Sequence, residues 1–415
     1  MAKTDIWIYA HWKGMDEPKC IGILSAHQAK GNKIFSFEYN RAWLESKEQF
    51  LLDPDIAWYT GPQYPNQKDN FGVFMDSMPD TWGKRLMQRK AALQAMEEGV
   101  KPRSLTELDY LLQVHDFTRM GALRFKLDPE GPFLDDDGER PTPPWAHIRE
   151  LQQSAEAFES DDGHDKEWLD LLIAPGSSLG GARPKANILD EKGHLWIAKF
   201  PAKNDMVDKA AWEYVTHLLA VKAGITMSDC KLEYIHGDFG TFFTKRFDRD
   251  GQARIHFSSA MTMCGHSEEL IRDKTPSYLE IAEFIQYNGC AIEEDLHQLW
   301  RRIVFNMSVS NTDDHLRNHG FLLSDEGWRL SPAYDLNPST DKGGLGLNVD
   351  LYNNALDYRL AYSVGDFFQL SKSEMDEIVS EVTASVETWE KLAEEHGISR
   401  RERELMAPAF LRMGY

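Results

Sequence analysis

Three short runs near the start of the chain alternate apolar and polar positions: 5–10 (Asp-Ile-Trp-Ile-Tyr-Ala), 20–25 (Cys-Ile-Gly-Ile-Leu-Ser) and 33–39 (Lys-Ile-Phe-Ser-Phe-Glu-Tyr). Each is rich in β-branched and aromatic residues, so a small antiparallel sheet or barrel is expected. From Asp80 to Met96 the pattern becomes helical, and Ser104-Leu105-Thr106-Glu107 has the form of a capping box opening a second helix toward Val114. Met120 to Phe125 reads as a further strand. Between Asp135 and Pro144 lie three consecutive Asp, a Gly and three Pro, which mark a domain boundary.

Residues 146–159 are helical by pattern, with Ile148, Leu151 and Ala155 on one side, and lead through Leu171-Leu172-Ile173 into the glycine-rich stretch Ala174–Asn187. A strand then ends in a lysine (Leu195-Trp196-Ile197-Ala198-Lys199-Phe200), and Glu213 follows in the helical stretch 210–218. Strands at Lys231–Ile235 and Thr241–Lys245 close on Arg246-Phe247-Asp248-Arg249. Beyond them the pattern is mostly helical: a long amphipathic helix at 292–309, a hairpin from 321–323 and 328–330, and a final helical region from Ser371 to about His396. The expected fold class is α+β, with three parts: a β-rich subdomain at 1–135, a small lobe at 145–250 and a mainly helical large lobe at 251–415.

Composition narrows the function classes. Twelve Trp, fourteen Tyr and twenty-one Phe argue for a folded enzyme or large binding protein and against a disordered scaffold. The net charge of −21 repels phosphate backbones, so nucleic acid is expected only through a partner. Lys84, Arg85, Arg89 and Lys90 cluster, but on a helix they read as a solvated face. The four cysteines are scattered and form no Cys-x-x-Cys pair, which suggests neither a zinc site nor a disulfide framework. No segment approaches the ~20 apolar residues of a membrane span, and a cytoplasmic location is the default expectation.

The chemistry concentrates in Ser310-Asn311-Thr312-Asp313-Asp314-His315-Leu316-Arg317-Asn318 and the later Tyr334-Asp335-Leu336. Asp313 and Asn318 enclose four residues, the spacing at which a kinase catalytic loop sets its base and a magnesium-ligating amide, and Asp335 lies where the second metal ligand would follow. A lone Asp-x4-Asn is ordinarily a solvated turn. Its weight here comes from the order in which a glycine-rich loop, a strand lysine and a helix glutamate precede it. Gly180 and Gly181 let backbone amides approach phosphate oxygens, with Arg183 or Lys185 adding positive charge, although the loop fits neither Gly-x-Gly-x-x-Gly nor the Walker pattern. Lys199, flanked by Ala198 and Phe200, is costly to bury without a phosphate or carboxylate partner, and Glu213 is the candidate ion-pair partner. A hydroxyl at Ser177 or Ser178 is a candidate autophosphorylation site. His315 has three open readings: orienting Asp313, touching phosphate, or packing within the loop.

These residues resemble the HipA-type serine/threonine kinases that act as toxins in bacterial toxin–antitoxin pairs. Thr312-Asp313-Asp314-His315-Leu316-Arg317-Asn318 is similar to that family's catalytic loop, Pro332-Ala333-Tyr334-Asp335 to its metal-binding motif, and Arg246–Arg249 to its hinge. Met78-Pro79-Asp80-Thr81-Trp82-Gly83 and Met120-Gly121-Ala122-Leu123 resemble the small domain preceding the kinase. The resemblance implies a protein-kinase-like two-lobed fold with an extra N-terminal β-rich domain, and ATP and Mg as cofactors. Lys199 would contact ATP phosphates, Lys245 to Phe247 would meet adenine, Asp313 would be the base, and Asn318 with Asp335 would bind magnesium, Tyr334 adjoining. The family's autophosphorylated serine aligns best with Ser178, with Ser177 beside it. A helix-turn-helix antitoxin of HipB type is implied as partner, with DNA reached only through it and no membrane involved. A translation component such as an aminoacyl-tRNA synthetase is implied as substrate. A vestigial kinase acting as a repression partner and a small-molecule or lipid kinase are the alternatives.

Overall fold

The alternation at the start of the chain forms strands. In this computed structural model, which describes residues 3–29, 32–46, 49–134, 142–160, 169, 171–173, 180–341 and 343–410, Lys3–Ala10, Lys19–Ala29 and Asn32–Tyr39 are antiparallel neighbours, and Leu123–Lys126 pairs with the far side of the first strand. Ile6 lies opposite Leu24, which lies opposite Phe37; Ile8 lies opposite Gly22 and Phe125. This apolar face is buried and packs with Phe71, Val73 and Phe74. Removing each such side chain from water is worth about 1.5–3 kcal/mol. Gly22 is required by the close approach, since a Cβ there would overlap the Phe37 ring and the Glu38 carbonyl.

Contacts divide the chain into two compact units. The first is Met1–Asn204 with Ile235–Gly237 and Asp248–Ser258; the second is Asp205–Tyr234, Asp238–Phe247 and Ser259–Tyr415. In the first unit the helix Thr81–Glu97 follows the sheet's core, and Lys185–Leu189 pairs antiparallel with Leu195–Lys199. Arg119 is fully buried: its guanidinium donates to the carbonyls of Ser77, Leu111 and Val114 and lies 4.4 Å from the Phe125 ring. Asp248 and Arg249, read from sequence as part of a hinge, are anchors within this unit. Asp248 accepts from the Gly121 amide at 2.8 Å, where φ is +73°, and Arg249 donates to the carbonyls of Phe117, Arg119 and Gly121.

Three local expectations change. The capping box of the second short helix, Glu107–Leu112, is Thr106 with Asp109, whose carboxylate takes the Thr106 amide at 2.7 Å. The expected Ser104–Glu107 box starts two residues too early, because Arg103 pairs with Asp109 and fixes the acid at the third helical position. Residues 120–122 stay outside the strand Leu123–Lys126, since the positive φ of Gly121 breaks the extended run. The final helical region is interrupted: Lys372–Val386 ends at Glu387, and Trp389–Glu395 begins after Thr388.

In the second unit the helix Lys209–Lys222 is capped by Asp208, whose side chain accepts from the amides of Ala211 and Gly240, while the Asp208 amide donates to Glu402. Trp212 packs against Trp389 and Phe410, the latter two stacked 4.4 Å apart. Cys230–Glu233 pairs with Thr241–Lys245. The helix Ile292–Val309 is buried along most of its length and ends on Ser310, in the left-handed region at φ 51°, with its hydroxyl donating to Ala409 O. The hairpin Gly320–Ser324 and Gly327–Leu330 follows. No helix among the described residues is long and apolar enough to cross a membrane.

Candidate active site

The hairpin of the second unit brings its two flanking loops together. Phe321 lies opposite Leu330, and the Ser331 amide donates to Gly320 O at 2.8 Å, so residues 312–318 and 332–337 leave the same end of one ladder. The Tyr334 hydroxyl then donates to Arg317 O at 2.7 Å and ties one loop to the other. Sequence spacing alone could not place Asn318 and Asp335, seventeen residues apart, in one locality; the hairpin does.

Within the first loop, Asp313 is exposed and Asn318 buried. The Asn318 amide nitrogen donates to Asp313 O at 3.1 Å, which leaves its amide oxygen as the coordinating end. Asp335 sits in the left-handed region at φ 60°, a costly conformation for a non-glycine residue that collects at functional sites. Its carboxylate accepts from Asn337 at 3.2 Å. Asn318 and Asp335 offer only hard oxygen donors, the set magnesium prefers, and magnesium takes its remaining ligands from water and phosphate. No cluster of three or more His, Cys, Asp or Glu fit to hold a metal occurs among the described residues.

Asp314, adjacent in sequence, has the opposite environment. It is fully buried and accepts from the Tyr278 hydroxyl, from the Asn306 side chain at 2.9 Å and from His319 Nε2 at 2.8 Å. Burial drives its carboxyl up, but the charge and hydrogen bond of His319 and the Tyr278 hydroxyl outweigh this and hold it below the usual carboxylate range. Gly346 backs onto the same loop, where a Cβ would strike Asp314 O. Tyr278, Asn306 and His319 escaped the sequence reading. His319 directly follows the motif and could have been singled out, whereas Tyr278 and Asn306 carry no local signal.

Phe247 and Tyr334 bring their rings to 5.5 Å at an interplanar angle of 37°. Lys245 closes its strand with its amide on Asp229 O and its ammonium 3.9 Å from the Asp229 carboxylate. His315 is exposed, which removes packing within the loop from its three readings. Glu213 is buried in the helix Lys209–Lys222. Burial, with the charges of Glu213 and Asp229, pushes the Cys230 thiol up to about 12.

The phosphate-side candidates belong to the first unit. Lys185 and Lys199 are direct cross-strand partners, so both ammonium-bearing side chains rise from one face of the pair. Lys185 is buried and its Nζ donates to Gly180 O. Gly181 adopts φ +81°, and a Cβ at Gly180 would meet nothing within 4 Å among the described residues. Ser177 and Ser178 lie outside the described residues.

Comparisons with known proteins bear on the family and the fold. A curated Haemophilus influenzae protein, provisionally described as a kinase, is 27% identical over 180 residues, 39% of this chain; the chain spans about half of that relative's length, 52%. A chain of the solved complex of the Shewanella oneidensis MR-1 toxin–antitoxin system HipA, HipB and its operator DNA superposes with a TM-score of 0.66 at 16% identity. That match covers 97% of this chain and 94% of the other, so the two share a fold. The model of the HipA-like C-terminal domain matches residues 177–389, more than half of the sequence, and the chain therefore belongs to the family of the HipA-like C-terminal domain.

Proposed function

We propose that the chain is an ATP- and magnesium-dependent serine/threonine protein kinase and the toxin of a toxin–antitoxin pair. The observation that carries this reading is the Tyr334–Arg317 hydrogen bond, which holds the Asp313–Asn318 loop and the Asp335 loop at one end of the hairpin. In this reading Asp313 accepts or orients the proton of the acceptor hydroxyl, and Asn318 and Asp335 hold the metal. Bound magnesium would neutralise charge on the transferred phosphoryl group. Lys185 and Lys199 supply positive charge to the phosphates beside Gly180 and Gly181, and Lys245 to Phe247 meets the adenine.

Exposure supports Asp313 over Asp314 as the base, because a group that meets an incoming hydroxyl must reach solvent, and Asp314 is buried with one carboxylate oxygen taken by Tyr278, Asn306 and His319. Autophosphorylation at Ser178, or Ser177 beside it, would set about two negative charges where the nucleotide binds and so switch the enzyme off. A basic helix-turn-helix antitoxin of HipB type complements a chain of net charge −21, and DNA would be reached only through it. The acceptor we assign is a translation component such as an aminoacyl-tRNA synthetase. Residues 1–135 are assigned to the N-terminal subdomain, 145–250 to the small lobe and 251–415 to the large lobe.

The test is transfer of labelled phosphate from ATP by purified protein with and without magnesium, together with melting in ATP and magnesium. Nucleotide at about 100 times its Kd should add about 2.7 kcal/mol of stability. Failure of the wild type both to transfer phosphate and to be stabilised would sink the reading.

A further inference from the structure

The motif Met78-Pro79-Asp80-Thr81-Trp82-Gly83 lies about a hundred residues before the glycine-rich segment and grips it. Asp80 caps the helix Thr81–Glu97 through one carboxylate oxygen, which takes the Thr81 amide at 2.7 Å, and its other oxygen takes the Gly181 amide at 2.8 Å. The Trp82 amide donates back to Gly181 O at 3.1 Å, so Gly181 is held at both its N–H and its carbonyl. The Trp82 indole Nε1 donates to Lys185 O at 2.9 Å. Arg183, between them, donates to Phe200 O at 3.1 Å, just past Lys199.

We propose that Asp80 and Trp82 are positioning residues that hold the segment 180–185 in the shape that receives the nucleotide's phosphates. This rests on the kinase reading above. The Gly181 amide is committed to Asp80, so it fixes the turn, at φ +81°, while a Cβ at neighbouring Gly180 would meet nothing within 4 Å among the described residues. A flexible glycine-rich segment must lose backbone entropy to bind an anion; one already pinned at three points has lost it on folding. The clamp is itself rigid, because Trp82 is fully buried with its ring edge-to-face on Phe158 at 5.2 Å. One role of the N-terminal region would then be to complete the nucleotide site of its own chain.

The full-length variants Asp80→Ala and Trp82→Phe test this; the second keeps an aromatic ring and removes only the indole donor. Each should raise the Kd and KM for ATP in magnesium about tenfold, with kcat at saturating ATP changing much less, the loss of one hydrogen bond to a charged or buried group. Amide exchange in peptides covering 180–189 should speed up, and Asp80→Asn, which keeps one acceptor oxygen for the two amides Asp80 serves, should recover part of the affinity. A lowered melting temperature with unchanged Kd and exchange would make the contact merely structural and overturn the proposal. Tighter ATP binding in the variants would make it an inhibitory contact and overturn it too. If the wild type takes up no ATP, the kinase reading falls and the clamp's assigned purpose with it; if the wild type binds ATP and the variants match it, only the clamp falls.

Discussion

The carboxylate of Asp314 accepts a 2.8 Å hydrogen bond from Nε2 of His319, with both side chains almost fully buried. Asp313, one residue earlier, is exposed. Adjacent acids in one loop therefore have divided roles, one facing outward and one fastening the loop to the helices Tyr278–Asn288 and Ile292–Val309 through Tyr278 and Asn306.

Asp313→Asn should cost about 10²–10⁴-fold in phosphate transfer, the usual contribution of a positioned general base. Because the side chain is exposed, melting temperature should hardly move. Transfer from labelled ATP, followed beside a thermal melt, checks both; turnover close to wild type would remove Asp313 from the role of base.

Asp314→Ala should do the reverse in stability, costing about 3–5 kcal/mol by leaving the Tyr278, Asn306 and His319 donors without their buried acceptor. Its carboxyl lies below the ordinary range in the folded state, so its contribution is present above about pH 4 and is lost as pH falls through the folded value. Denaturant titrations of wild type and variant should show a gap that is wide at neutral pH and narrows in acid. A gap independent of pH would contradict the assignment of the charge to Asp314.

Asp53 has the opposite sign. It is fully buried, and burial raises its carboxyl to about 6 although the amides of Asp55 and Val73 each donate to it at 2.9 Å. A carboxyl with a folded value above its unfolded one contributes stability below about pH 4 that disappears as pH rises through about 6. Relative to Asp53→Asn, the wild-type first unit should lose on the order of 3 kcal/mol between those limits. Unfolding followed at acid and neutral pH would show it, and parallel curves would refute it.

Tyr334→Phe keeps the ring against Phe247 and removes the hydroxyl that donates to Arg317 O. Losing about 1 kcal/mol of that tie should weaken magnesium activation several-fold while changing stability little. A magnesium titration of initial rates reads the effect. An unchanged midpoint would show that the two loops are held together by the hairpin alone.

Much of the element order was legible because period-two and helical patterns are written locally. The sheet strands, the helices Thr81–Glu97 and Ile292–Val309, and the hairpin all lie close to where alternation and apolar spacing put them. The order of glycine-rich segment, Lys199, Glu213, Asp313, Asn318 and Asp335 was legible too, since each belongs to a short motif. The capping box at Thr106 was missed by two residues because Arg103 decides which acid serves it.

What the sequence by itself determined was which residue types stand in which local patterns, and therefore the candidate Asp313-x4-Asn318 loop. Only the tertiary structure decided that Asp314 is a buried fastening and Asp313 is not, since two adjacent aspartates differ in nothing but what the fold brings around them. The same holds for Asp80 and Gly181, joined by one hydrogen bond across a hundred residues of chain. Hydrogen bonds and burial act over a few ångströms of space and are indifferent to sequence separation, so such pairs exist only once the chain has folded.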